Sequence, residues 1–230
     1  GDVSSINGSS LGVVTGGGGN VFIGSNAGFC NVSGKENVFI GSQSGFSSTG
    51  NSNVFIGKGS GLSNSLGHNN VFLGTFTGAE NRIGSKNVFI GTAAGKCNNT
   101  GNDNVFLGHE TGFANTTGDC NVFVGVSAGK NNKSGNANVF LGDNSGIANS
   151  SGHSNVFIGT KSGASNNSGE NNVFLGYESG SCNVSGNNNV FLGYRTGANN
   201  QSGSNNVFLG FQSGENNTNG SFNIFLGYNA

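Results

Sequence analysis

Residues 20–36, which read NVFIGSNAGFCNVSGKE, are the first of a series of near-identical copies that fill the remainder of the 230-residue chain. The opening pentad, Asn-Val/Ile-Phe-aliphatic-Gly, occurs 13 times. Successive copies are 17 residues apart, except for one interval of 16 residues between Asn37 and Asn53. A fixed short period of this kind is typical of solenoids, in which each repeat is one structural unit stacked on the next.

Each pentad has the composition of a short β-strand. Val-Phe-Ile and Val-Phe-Leu are β-branched or aromatic and are bounded by Asn and Gly, which favour turns. The rest of a repeat, such as residues 25–34, has room for a second short strand and two corners, and it ends in an Asn-x-Ser/Thr-Gly turn. Helices are not expected, because Gly and Asn are poor helix formers and no apolar 3.6-residue period exists. The sequence predicts an all-β parallel β-solenoid of about 12–13 coils over residues 20–230, with 17 residues per coil.

The strands are apolar on both faces. Side chains alternate along a strand, so Val21 and Ile23 point one way and Phe22 points the other. A narrow coil has only one interior, and either the aliphatic residues or the phenylalanines fill it, which leaves the other set as an exposed stripe. We therefore expect identical chains to associate laterally around a symmetry axis.

The pentad phenylalanines are expected to form a structural ladder along the solenoid axis, because equivalent positions of successive coils stack about 4.8 Å apart. The members of this Phe ladder are Phe22, Phe39, Phe55, Phe72, Phe89, Phe106, Phe123, Phe140, Phe157, Phe174, Phe191, Phe208 and Phe225.

Two asparagine columns also follow from the period, one at the start of each pentad and one at the later turn. Stacked amides can hydrogen-bond from coil to coil, although Asn also suits turns for purely local reasons. The later turn contains the N-glycosylation acceptor sequence Asn-x-Ser/Thr in eight repeats. We favour turn chemistry there, and glycosylation is the alternative at Asn31, Asn98, Asn115, Asn132, Asn149, Asn166, Asn183 and Asn200.

Composition argues against most enzymes and against several classes of partner. The chain has 45 glycines, no proline, methionine or tryptophan, only 8% charged residues and a net charge of −1. Neither nucleic-acid binding nor membrane insertion is expected from such a composition. The three histidines lie in different repeats without a ligand-spaced partner, so no metal, cofactor or catalytic residue is predicted. Cys30, Cys97 and Cys182 share one phase of the repeat but lie four and five coils apart, and Cys120 lies at another phase. Free thiols are therefore expected, with interchain disulfides as the alternative.

The pentad of residues 20–24, the small residue before Gly28 and the following Asn-x-Ser-Gly turn resemble the tandem repeats of phage tail-fibre-like and bacterial surface proteins. The resemblance covers about 210 residues, from Asn20 onward, and extends more distantly to the head repeats of trimeric autotransporter adhesins. It implies trimeric fibres with attachment or spacer roles.

The predicted function is therefore a non-enzymatic fibre or adhesin-type shaft that is extracellular, on a cell surface or on a virion. One alternative is a subunit of an extracellular filament assembled end to end, with or without N-linked glycans. A second is an ice-binding β-solenoid, which the Ser/Thr column beginning at Ser33 suggests. Residues 1–19 are expected to be an N-terminal cap, a docking segment or a linker.

Overall fold

The computed structural model describes residues 3–4 and 18–230, and these residues form an all-β parallel β-solenoid. The predicted fold class is confirmed, because each pentad forms a three-residue strand that opens a coil of about 17 residues. The chain divides into two compact units, Gly1–Thr117 (unit one) and Gly118–Ala230 (unit two).

Unit one contains strands β1 to β7. Their bounds are β1 Val3–Ser4, β2 Val21–Ile23, β3 Val38–Ile40, β4 Val54–Ile56, β5 Val71–Leu73, β6 Val88–Ile90 and β7 Val105–Leu107. Neighbouring strands pair in parallel and in register, so that Val38 lies opposite Val54 even across the 16-residue interval. The missing residue is therefore absorbed in a turn. Strand β1 pairs with β2, Val3 opposite Val21, and extends the ladder by one strand. The predicted roles of residues 1–19 otherwise lie outside the described residues.

Unit two contains strands β8 to β14. Their bounds are β8 Val122–Val124, β9 Val139–Leu141, β10 Val156–Ile158, β11 Val173–Leu175, β12 Val190–Leu192, β13 Val207–Leu209 and β14 Ile224–Leu226. Each strand pairs in parallel with the next, and equivalent residues of successive repeats lie opposite each other, as Phe157 does Phe174. Residues that occupy the same position in successive repeats therefore stack in one line along the solenoid axis within the unit.

The phenylalanines, and not the aliphatic residues, fill the interior of the coil. Phe39 in unit one and Phe140 in unit two are 0% exposed, whereas the Val and Ile/Leu residues beside them are partly exposed on the outside. The alternative with a Val/Ile interior is therefore wrong. The glycine at position 146 makes room for the Phe140 ring inside the coil. A Cβ atom on residue 146 would lie 2.6 Å from that ring, so any residue larger than glycine would clash with it.

The remainder of each coil consists of turns, and the second short strand does not form within residues 18–230. Two non-glycine residues per coil adopt left-handed backbone conformations, as Ala137 (φ 54°) and Asn144 (φ 54°) do in unit two. Single backbone hydrogen bonds between coils continue through this part; for example, the Gly146 N–H donates to the Ser162 carbonyl at 2.9 Å. The turns therefore stack as regularly as the strands, although their chain direction changes too often for a strand.

Candidate functional site

The interior of each unit is a continuous stack of aromatic rings. Successive rings of the Phe ladder within a unit are nearly parallel, with interplanar angles of 3–10° and centroids 4.7–4.9 Å apart. This spacing matches the distance between paired strands, so one flat ring fills one layer of the solenoid. The ladder residues from Phe22 to Phe208 are thus packed away from solvent, whereas Phe225 in the last coil is partly exposed.

The asparagine that precedes each of strands β2 to β13 is buried, and the column joins successive coils. In unit two, the Asn155 Nδ2 group donates to Asn138 Oδ1 at 3.2 Å and to the Gly169 carbonyl at 2.8 Å. Asn155 Oδ1 in turn accepts hydrogen bonds from the backbone N–H and the Nδ2 group of Asn172, at 3.0 and 3.1 Å. The predicted coil-to-coil amide ladder is confirmed, and it satisfies backbone groups that the turns would otherwise leave buried and unpaired.

The turn asparagines form a second buried ladder, which corrects the glycosylation hypothesis. The Asn98 Nδ2 group donates to Asn81 Oδ1 at 2.6 Å and to the Gly101 carbonyl at 3.0 Å. A glycan attached to such a nitrogen has no room in the folded coil. The side chains are at most 1% exposed at all eight sequons: Asn31, Asn98, Asn115, Asn132, Asn149, Asn166, Asn183 and Asn200. The sequons are therefore turn and ladder positions in the folded protein.

The outside of the strands carries an aliphatic surface. We define the outer strand face of unit two as the first and third residues of strands β8 to β14, which are Val, Ile or Leu throughout. In strands β8 to β13 all of these side chains are partly exposed. Among the described residues, each unit therefore has an apolar strand face that stays partly exposed, as both interior alternatives had required.

An aromatic ladder adjoins this face in unit two. We use this name for Tyr177, Tyr194, Phe211 and Tyr228, each of which follows a strand by two residues. Neighbouring rings are 5.1–5.3 Å apart with interplanar angles of 6–10°. The rings of Tyr177, Tyr194 and Phe211 are 41–43% exposed. Sequence reasoning missed this feature, although four aromatic residues exactly one repeat apart are a signal that column-by-column alignment of the repeats would have found.

Charged side chains border the aromatic ladder. Glu178 and Arg195 follow the first two rungs in the chain, with Arg195 Nε 3.8 Å from Glu178 Oε2, and Lys161 Nζ lies 3.8 Å from Glu178 Oε1. The hydrogen bond and the negative charge of Glu178 raise the pKa of the Tyr177 hydroxyl above its ordinary value. Solvent-exposed pairs of this kind contribute little to stability, so this row is a polar border to the apolar surface.

A shallow depression of about 350 Å³ in unit one contains the least accessible cysteine. Cys97 and Glu80 lie there together with Arg82. Burial raises the pKa of the Cys97 thiol, and the nearby Glu80 carboxylate raises it further. Such a thiol is a weak nucleophile at neutral pH. All four cysteines are free within the chain, and Cys30, Cys120 and Cys182 are exposed.

Titratable groups are otherwise dispersed over the surface. In residues 3–4 and 18–230, no three His, Cys, Asp or Glu side chains come together in a way that would hold a metal ion. His153 Nε2 lies 3.1 Å from Glu170 Oε2 on the exposed surface. The Ser/Thr column that suggested ice binding is interrupted by the exposed side chains of Leu66 and Ile83. The same described residues include no helix long and apolar enough to cross a membrane.

Comparison with known protein families, with curated proteins and with solved structures found no match to this chain. The likeness to fibre and adhesin repeats therefore stays a resemblance of sequence pattern. The candidate functional site is the exterior apolar surface of the solenoid, and its chemistry is that of association.

Proposed function

We propose that the chain is a non-enzymatic structural module: a rigid fibre shaft or spacer, exposed on a cell surface or a virion, in which identical chains lie side by side. The observation that supports this proposal is the division between interior and exterior columns. The Phe ladder and the strand-start Asn ladder repeat in each coil of both units, whereas the exterior columns outside the strands change freely.

An interior of this kind suits a shaft, because each coil offers the same contacts to the coil above and to the coil below. Stability in such an array comes from nearest-neighbour contacts, so its length is set by the number of repeats and not by any one repeat. Lateral association is included in the proposal because each unit leaves an apolar strand face uncovered. The homotrimer predicted from the sequence stays a prediction.

Duplication of whole repeats tests the shaft directly. Repeating residues 138–205, which comprise four 17-residue repeats, keeps every column in phase and is expected to lengthen the particle by about 19 Å at the strand spacing of a β-sheet. Electron microscopy measures the length and circular dichroism the β-content. The matched control repeats residues 138–197, which is not a whole number of repeats, and is expected to lose β-structure. Equal behaviour of the two variants would argue against a shaft built from interchangeable coils.

The proposed location needs its own experiment. Antibodies against the purified chain are expected to label intact cells or virions of the source organism in immunoelectron microscopy. Labelling that appears only after permeabilisation would refute an exterior role, while leaving the shaft architecture intact.

A further inference from the structure

Unit two has a larger exposed apolar surface than its fold requires. The aromatic ladder follows the outer strand face around one corner of the coil: Leu192 belongs to the face, Gly193 is the corner, and Tyr194 is a rung of the ladder. We propose that the aromatic ladder and the outer strand face of unit two together bind a second copy of this chain through the same surface, about a two-fold axis. This inference rests on the lateral association in the proposed function, and it assigns that association a surface and a stoichiometry.

The aromatic side chains of the ladder are exposed to water, which is unfavourable, and a bound partner would cover them. Threonine stands at the same position in the preceding coil, as Thr160, so the fold accepts a small polar residue there. The rings of Tyr177, Tyr194 and Phe211 nonetheless stand 41–43% exposed in succession. Rows of stacked rings bury large area at small conformational cost, and aromatic residues are enriched in protein interfaces for this reason.

The border of the surface has the composition of an interface rim. On the side of the ladder it is closed by the row Lys161, Glu178 and Arg195. On the other side, exposed polar residues precede the strands, among them His153 and Asn171. An apolar patch with polar residues on both sides is the usual arrangement of a protein interaction site.

The area of the surface favours a pair of chains. An aromatic side chain has about 200 Å² to bury, so the four rungs at their observed exposures offer about 400 Å². Seven paired three-residue strands present a face of about 330 Å². Two copies that meet through the whole surface bury about 1,400 Å² in total, which lies within the range of stable interfaces.

A cyclic trimer divides the same surface between two contacts. If the ladder of one chain packs on the strand face of the next, each contact buries only about 700 Å², which is the size of an adventitious crystal contact. Each chain buries as much surface in total as in the pair, so it is the area per contact that favours the pair over the trimer implied by the resemblance to fibre repeats.

The spacing of the side chains favours a second copy over an unrelated protein. The aliphatic and aromatic columns recur once per coil, with neighbouring rings of the ladder 5.1–5.3 Å apart. Ridges with this period fit the grooves of a surface with the same period over many coils. A second copy of this chain has that surface by construction, and interdigitation of identical columns is the packing seen between stacked sheets.

Light scattering after size-exclusion chromatography tests the proposal at micromolar concentrations. The wild-type chain is expected at twice its mass of 23.0 kDa. The ladder variant carries Tyr177→Thr, Tyr194→Thr and Phe211→Thr, which place at three of the four ladder positions the residue type that this column has at Thr160, and its mass is expected to halve with unchanged circular dichroism. The control carries Leu66→Ser and Ile83→Ser, which remove exposed apolar side chains of unit one, and it is expected to remain a pair.

The outcomes separate this inference from the proposed function. A wild-type monomer at all concentrations would refute lateral association itself. A wild-type oligomer whose mass the ladder variant leaves unchanged would overturn the assigned surface and leave the shaft in place. A wild-type mass of three chains would overturn the pair in favour of the trimer.

Discussion

Replacement of Phe157 by alanine is expected to destabilise the middle of unit two by removing one layer of its interior. Phe157 is 0% exposed, and its ring lies between those of Phe140 and Phe174, with both centroid distances 4.8 Å. Phe-to-Ala changes in well-packed cores cost about 3–5 kcal/mol, including the cavity that remains. The neighbouring coils have no reason to collapse into the gap, because their spacing is fixed by the strand and Asn ladders. We therefore expect the upper part of that range.

The matched control is Val156→Ala on the outer strand face. Val156 is adjacent in the chain but partly exposed, and the loss of two methyl-sized groups there is expected to cost about 1 kcal/mol. A global unfolding energy is poorly defined in a repeat array, so the assay is native-state hydrogen exchange. The Val173 N–H, which donates to the Asn189 carbonyl at 2.8 Å, is one reporter in the adjoining coil.

Phe157→Ala is expected to accelerate exchange in the coils around it by a factor of about 1,000 or more, and Val156→Ala by about tenfold or less, since about 1.4 kcal/mol corresponds to one factor of ten. Equal effects of the two substitutions, or a larger effect of Val156→Ala, would refute the assignment of phenylalanine to the interior.

Three further predictions concern other columns. Asn155→Asp should lower the melting temperature, and more at pH 7 than at pH 4, because a buried carboxylate can donate neither of the two hydrogen bonds that the Asn155 amide donates, whereas the protonated acid can donate one; pH-independent melting would contradict the buried ladder. Ala93→Gly should stabilise unit one by up to about 1 kcal/mol by relieving a left-handed backbone (φ 57°), whereas Ala94→Gly, at a buried position without that backbone, should not. Cys97 should react with a maleimide more slowly than the other three cysteines at pH 8, because its raised pKa leaves less thiolate, and Glu80→Gln should speed its labelling; four equal rates would contradict the burial of Cys97.

The period of the sequence was sufficient to predict the strands and their stacking. Asn and Gly bound every Val-Phe-aliphatic triplet, and a 17-residue spacing leaves one in-register arrangement for residues such as Val156 and Val173. The Asn ladders could be predicted from the same regularity, since an amide that recurs at the coil spacing lies next to the equivalent amides of the coils above and below it. Here local preference and long-range order agree, which is why the prediction succeeded.

The choice of interior was not accessible from the strands alone, because both of their faces are apolar. It is made across the coil, where Gly146 leaves space for the ring of Phe140, while the outer strand face stays partly exposed. That pairing depends on how the turns fold back, and two non-glycine residues per coil with a left-handed backbone help to set their path without a sequence signature: Lys161 and Glu178 occupy such positions alongside Asn144. Burial of the sequon asparagines depends on the same turns, so the sequence alone did not predict it either.

Electron cryo-microscopy of the purified chain, at a resolution that separates neighbouring coils, tests the central assignment most directly. The account predicts layers about 4.8 Å apart, a column of ring density enclosed within each chain, and contact between chains through the aliphatic and aromatic surface of unit two. A column of phenylalanine rings lying between two chains, with Val, Ile and Leu enclosed, would contradict it.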